Sequence, residues 1–359
     1  FFEASVRMIS IVGAGPSGNY LAYLLAKDGK EVHVFEEHDK LGVPIQCTGL
    51  VTSSIKELID INEEFVVNII DNVRVYAPNG KFVDFKLKDP NYVFDRRKFD
   101  VFLAGLARDK GAEYHLGKKF VDFNDGEIVF SDGSKFKTDY LIGADGPMSA
   151  VAKKFGMHND RKFMTGMQAR VKGAFIKNRF DVYLGEGYFG WNVPENDEIS
   201  RVGVICAKEV PKKYFDLIMK RTESEVIEYQ SGLIPIYQPG ISCQKNNIFL
   251  IGDAATQCKG STHGGIIQGM IAGTALRDAL VNGKNYDKLW KKKLARDLYV
   301  HLKIRKKLDN MSEEKLNLMV DLVKKEKVKN ILETHDRDFA FVIAAKLFLS
   351  EPRFLKLAF

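Results

Sequence analysis

No run of apolar residues in this 359-residue chain approaches the roughly 20 that span a bilayer. The protein is therefore expected to be soluble, or at most to lie on a membrane surface. Cysteine is sparse: Cys47, Cys206, Cys243 and Cys258 stand far apart, with no CxxC pair among them. That spacing argues against a disulfide framework and against a zinc site, so no metal is expected and the thiols read as reduced and cytosolic. No leader is legible, because Phe1–Arg7 is too short for a charged region followed by an apolar one. Met8 is a candidate natural start. No repeat and no low-complexity linker divides the chain, so its domains should interleave and not follow in series.

What is present describes an ordinary folded protein, with 45% hydrophobic and 11% aromatic residues. Its length permits one large domain or two interlocked ones. The formal charge of +7 is concentrated: Lys284 to Lys329 holds 15 Lys and Arg against 7 Asp and Glu. Such a segment can attract acidic phospholipid headgroups or nucleic acid, or serve as a solvated helical face.

The first unit reads as β-α-β. Met8–Val12 is a strand, and Pro16–Asp28 is a helix with Tyr20, Leu21, Leu24 and Leu25 on one face. Glu31–Glu36 is the next strand. Between the first strand and the helix lies Gly13-Ala14-Gly15-Pro16-Ser17-Gly18. Gly13 permits the tight bend, Gly15 lets the backbone approach a pyrophosphate, and Gly18 lets the helix pack close to the strand. Glu36 follows at the spacing where a carboxylate accepts hydrogen bonds from ribose hydroxyls.

Two further marks, Ala144-Asp145-Gly146 and Ile251-Gly252-Asp253, each end an apolar strand. Three strand-end signals spread over more than half the chain suggest one long cofactor gripped at several points. FAD fits this better than a nicotinamide cofactor held by one local unit. Asp145 and Asp253 would hold ribityl and ribose hydroxyls, although an Asp at a helix N-cap gives a similar string. Arg96 could pair with a flavin phosphate from the start of a helix over Arg96–Lys110.

Elsewhere, Val73–Tyr76 and Lys81–Leu87 read as a hairpin through Pro78-Asn79-Gly80, and Lys118–Lys137 as a three-stranded meander. Alternating strands at 164–172, 180–184, 188–193 and 201–206 mark a candidate substrate domain. A helix is expected from about Gly265 to Val281, and everything beyond Tyr286 reads as charged amphipathic helix. The fold class is α/β: a Rossmann-like FAD-binding domain (8–72, 92–160 and 240–285) interleaved with an antiparallel-sheet substrate domain (73–91 and 161–239). A C-terminal helical region (286–359) follows.

Three segments carry a family resemblance: Pro44-Ile45-Gln46-Cys47-Thr48-Gly49, Gly187-Tyr188-Phe189-Gly190-Trp191-Asn192-Val193-Pro194, and Gly252-Asp253-Ala254-Ala255 running into His263-Gly264-Gly265-Ile266. With them the chain resembles the FAD-dependent geranylgeranyl reductases, within the group that includes p-hydroxybenzoate hydroxylase and the flavin halogenases. The resemblance places Ala14, Glu36, Cys47, Thr48, Arg96, Val121, Asp253, Gly265 and Ile266 against FAD, Val121 through its backbone. It implies substrate contacts from Tyr188, Phe189 and Trp191. The chain departs from the family pattern in the Thr48 that separates Cys47 from Gly49, and in Val193 where the family has Phe.

The implied reaction is saturation of isoprenoid carbon–carbon double bonds, with Cys47 the candidate proton donor. Aromatics such as Phe163, Phe175, Phe180, Phe189 and Trp191 could wall an apolar tunnel or serve as ordinary core. An aromatic monooxygenase or halogenase is the alternative, as is a prenyl-binding carrier without catalysis. The expected partners are an isoprenoid lipid, an acidic membrane surface and an external electron donor, NAD(P)H or a ferredoxin; no second nucleotide-binding turn is apparent and no nucleic acid is expected. The expected location is the cytoplasm, with contact at the cytoplasmic face of a membrane.

Overall fold

A computed structural model describes residues 7–206 and 210–354. Phe1–Val6 of the N-terminal segment, and the last five residues of the C-terminal region, lie outside the described residues.

The nucleotide-binding core is a six-stranded sheet in the order Gln244–Lys245, Ile248–Leu250, Tyr140–Gly143, Ile9–Val12, Val32–Phe35, Glu113–His115. All its pairings are parallel except the outermost, Gln244–Lys245 against Ile248–Leu250. The strands Ile9–Val12 and Val32–Phe35 are buried throughout, as parallel strands covered on both faces must be. Helices Pro16–Lys27, Arg96–Arg108 and Ile266–Asn282 pack together on this sheet. Asn19 ties two of them, donating from Nδ2 to Ala14 O (2.7 Å) and Asp100 O (3.0 Å). The meander forms Phe120–Asn124, Glu127–Phe130 and Lys135–Lys137.

A second sheet has eight strands, in the order Glu225–Pro235, Phe163–Lys172, Ile199–Cys206, Tyr188–Pro194, Arg179–Gly185, Val66–Tyr76, Phe82–Phe94, Leu50–Val51. It is mixed and not purely antiparallel, because Arg179–Gly185 runs parallel to Val66–Tyr76. The hairpin is also far longer than its sequence suggests. Its pairing slips at Val66/Asn68 and at Ile70/Asn72, and each slip breaks the two-residue period that marks a strand. We propose that the domain boundaries follow these strand ends, since 72/73 and 91/92 would cut through them. Pro211–Thr222 and the mostly exposed edge strand Glu225–Pro235 were not legible in the sequence.

The C-terminal region is helical from Tyr286, running through a π-helical stretch, Lys291–Ala295, into Arg296–Leu308. Glu313–Val323, Glu326–Thr334 and Ala340–Ser350 follow. The last departs from the expected charged pattern: AFVIAAKLFLS carries one charge, Lys346. Among the described residues no helix is long and apolar enough to cross a membrane.

Candidate functional site

The glycine turn leaves Ile9–Val12 at the carboxyl end of the parallel sheet, where nucleotide crevices form. Gly13 has φ +104°, and a Cβ there would sit 2.4 Å from the Ala144 carbonyl oxygen. A Cβ on Gly18 would lie 2.1 Å from Gly13 O, so the helix can approach only because that residue is bare. Gly15 differs: a side chain there would meet nothing within 4 Å and would project into the crevice. The helix beginning at Pro16 has neither a side-chain cap nor an acid in its first turn. Its orphan N–H groups and dipole are thus left for an anion. The Glu36 carboxylate accepts from Ala14 N–H (2.9 Å) and from His38 N–H (3.1 Å), which fixes it beside the turn.

The flavin half of the crevice gathers residues from distant segments. Cys47, Thr48, Arg96, Asp253, Gly265 and Ile266 all line one cavity of about 1240 Å³. Helix Ile266–Asn282 also starts without a side-chain cap or an acid. Asp253 is half-buried, and desolvation pushes its carboxyl up to about 6 while Arg96 and Arg161 pull it back. A Cβ on Gly265 would come within 2.8 Å of Asp253 Oδ1, so the helix entry is closed to any side chain. Gly252, at φ +62°, donates its N–H to Gln257 Oε1 (2.8 Å). An empty cradle at Gly15, two uncapped helix starts and the strand-end acid Asp253 fit a long dinucleotide such as FAD.

Asp145 and Val121 lie outside this cavity. The Asp145 carboxylate accepts from Ser149 Oγ (2.6 Å) and Val151 N–H (3.1 Å), so it organises the start of helix Ala150–Lys154 and does not line the cavity. Val121 is half-exposed, on a strand whose register passes from Phe120 to Asp122. The bulge takes its backbone out of the ladder.

Cys47 Sγ accepts from Gly49 N–H (3.3 Å) and lies near enough to the Arg96 guanidinium to interact with its charge. Burial works against the charge on Arg96, but Asp100 and Cys47 outweigh it and hold the guanidinium protonated. Asp100 grips Arg96 with a fork of 3.1 and 3.0 Å. The cysteine loop is anchored from the other sheet by a residue the sequence did not single out. Arg201 Nη1 donates to Thr48 O (2.5 Å) and Phe94 O (2.8 Å), and its Nε donates to Glu195 Oε1 (2.9 Å). Burial raises Glu195, yet the pairing with Arg170 and Arg201 holds it below the usual carboxylate range. An arginine inside a strand of otherwise apolar pattern was the available signal.

Thr48 Oγ1 (2.6 Å) and Trp191 Nε1 (3.0 Å) both donate to Gln168 Oε1, which links the cysteine loop to the cavity wall. Phe189, Trp191 and Val193 face the cavity, as does Phe180. Tyr188 does not: alternation puts it on the other face, where its ring stacks on Tyr214 at 4.1 Å. Phe163 and Phe175 also lie off the cavity.

The opposite wall is built by the C-terminal helices, through Ile304, Leu308, Val320, Val323, Leu347 and Phe348. Asp336 and Asp338 strap this wall to the core. Ser54 Oγ donates to Asp336 (2.6 Å), Thr52 Oγ1 donates to Asp338 (2.6 Å), and buried Lys259 pairs with Asp338. His263, at φ +57°, stacks on Phe189, and burial together with Arg305 pushes its imidazole down to about 3.

The family model of the NAD(P)-binding Rossmann-like domain matches residues 11–48. Among solved structures, a geranylgeranyl bacteriochlorophyll reductase-like protein of Thermoplasma acidophilum superposes with TM-score 0.86 at 20% identity, covering 98% of both chains. A flavin-dependent brominase gives 0.75 at 15% identity, over 98% of this chain and 99% of that one. The fold is that of FAD-dependent flavoproteins, and the crevice has the shape and donors that FAD needs. Two curated relatives are digeranylgeranylglycerophospholipid reductases: that of Methanosarcina acetivorans is 26% identical over 90% of each chain, and that of Methanocaldococcus jannaschii 28% identical over 87% of this chain and 89% of its own. The chain is thus similar, over most of its length, to digeranylgeranylglycerophospholipid reductases.

Proposed function

We propose that this protein saturates carbon–carbon double bonds in the geranylgeranyl chains of lipids or their precursors. The carrying observation is continuity: the cysteine loop, the uncapped helix starts and a long apolar cavity are one space. Gly13, Ala14, Gly15, Gly18 and Glu36 would hold the ADP half of FAD, with Val121 near the adenine. Arg96, Thr48, Gly252, Asp253, Gly265 and Ile266 would hold its flavin half. When bound and reduced, FAD supplies the hydride.

An isolated trisubstituted alkene accepts hydride only as positive character develops at its branched carbon. A proton must therefore reach the neighbouring carbon from the chain itself or from a trapped water. We assign that proton to Cys47 Sγ, which has Gly49 N–H and the Arg96 guanidinium beside it. Phe180, Phe189 and Trp191 orient the isoprenoid and keep water out, which strengthens each of these interactions. Neutral His263 brings no competing cation to the bond.

The likeness to a brominase supports one rival, an oxygen-using flavoenzyme. Anaerobic reoxidation of the photoreduced protein by a geranylgeranyl lipid separates the two. Reoxidation with a mass gain of two hydrogens per bond is expected; oxidation by oxygen alone, with no saturated product, would sink the proposal. A colourless protein that refuses FAD would favour the carrier. The electron donor is external, and bleaching by NADH, NADPH or reduced ferredoxin identifies it.

The substrate also suggests contact with a membrane surface. Helix Ala340–Ser350 turns Ile343, Ala344, Leu347 and Phe348 toward the cavity and leaves Val342 and Leu349 exposed, Leu349 by 84%, with Phe341 at the cavity rim. Arg296, Lys303 and Lys306 lie on an adjoining helix, so an apolar face and a basic flank approach a lipid surface together. Pelleting with acidic liposomes should fall with salt and be lost in Leu349→Asp. Equal pelleting of both proteins would overturn this part.

A further inference from the structure

At the edge of the parallel sheet, Val32–Phe35 pairs with Glu113–His115, with His33 opposite Glu113 and Phe35 opposite His115. Glu113 and His115 share a face of their strand, because side chains two apart point the same way. His33 Nδ1 lies 3.2 Å from His115 Nε2 and 3.5 Å from Glu113 Oε2. All three candidate ligand atoms fall within 4.8 Å of one another. A tetrahedral ion bound by nitrogen and oxygen at about 2.0–2.2 Å sets its ligands about 3.3–3.5 Å apart. Two of the three edges, 3.2 and 3.5 Å, are close to that length, and rotation of the exposed Glu113 side chain closes the third.

The surroundings suit a metal as well as the ligands do. His33 Nε2 faces Glu31 Oε1 at 3.4 Å, the carboxylate–histidine arrangement that orients a metal-bound imidazole. Phe35 stacks on His115 and Phe136 leans on His33, each at 4.7 Å, so both rings are held in place. His33 is buried while Glu113 is open to solvent, which gives an ion a way in.

We propose that His33, His115 and Glu113 bind one divalent transition metal of the zinc class, with a fourth position open to water. The site is remote from the cysteine loop in the fold and has a structural task. Glu113–His115 is a three-residue edge strand, and Glu36 N–H donates to His115 O (3.0 Å). A metal here clamps the edge of the sheet to the strand that delivers Glu36 to the nucleotide turn. No cysteine takes part, and 82 residues separate the two histidines, so sequence spacing could not reveal the site.

The test uses tag-free, FAD-saturated protein dialysed against chelator and titrated with zinc alone, read by calorimetry and by thermal unfolding. Wild type should bind one equivalent and unfold at a higher temperature. Glu113→Gln, at an exposed position, should weaken binding at least tenfold with its flavin spectrum intact. Glu31→Gln, which touches only His33, should weaken it about 10–100-fold, and His33→Asn with His115→Asn should abolish it. Wild type without zinc binding, or Glu113→Gln and the double variant binding as wild type does, would overturn the proposal. In that case the histidine pair is a simple hydrogen bond.

Discussion

Replacing Arg201 by methionine removes the donors that hold the Thr48 and Phe94 carbonyls and leaves buried Glu195 with Arg170 alone. Breaking a buried pair costs about 3–5 kcal/mol when nothing replaces it, so a loss near 2–3 kcal/mol is expected with Arg170 remaining. Because the cysteine loop is what Arg201 anchors, turnover should fall more than FAD affinity; equal losses in both would contradict this role. At Cys47 itself, Cys47→Ser and Cys47→Ala should each abolish saturation while the protein stays yellow. Unchanged turnover would remove the thiol from the chemistry. Acid should also weaken the fold through its buried imidazoles. His263 and His301 titrate near 3 when folded, against about 6.5 in an unfolded chain. Between those values only the unfolded chain is protonated, so stability is full above pH 6.5 and declines as pH falls toward 3. Asp253, near 6 when folded, opposes this between pH 6 and 4, as do Asp100, Asp145 and Asp181, whose carboxyls burial also raises. His115 and His158, lowered by burial, add to the loss above pH 5. The melting temperature should therefore drop from pH 7 to pH 5, and drop less in His301→Gln.

Among the elements, the glycine turn tolerates least. In Gly13→Ala the new methyl would collide with the Ala144 carbonyl at a backbone angle that alanine resists. A cost of about 2–5 kcal/mol and loss of bound FAD are expected, measurable by denaturant melts and flavin absorbance. This β-α-β unit was legible because its glycines, its helix and Glu36 report one local geometry. The strands from Phe163 to Cys206 were legible through simple alternation. The long hairpin was not, because its bulges shift the period at Asn68 and Asn72. The family resemblance implied a substrate contact from Tyr188 as well as Phe189, yet a pleated strand gives the cavity only one of two adjacent aromatics. Asp145 and Asp253 end similar strings. Only the structure separates the acid that organises a helix from the one that faces the crevice.

For the whole molecule, the cavity exceeds the 300–1,000 Å³ common for small-molecule sites, as a long flexible ligand requires. FAD at a hundredfold its dissociation constant should add about 2.7 kcal/mol to stability. A shift in melting temperature that saturates with FAD would confirm it, and no shift would argue against a folded, receptive site. The cavity's second wall comes from the last sixty or so described residues, strapped back to Thr52, Ser54 and Lys259 through Asp336 and Asp338. Synthesis runs from the N-terminus, and domains begin to fold as they emerge. A ribosome making this protein thus displays the greasy side of the eight-stranded sheet before the helices that roof it exist. Until the last helices are made, that apolar face stands open to water.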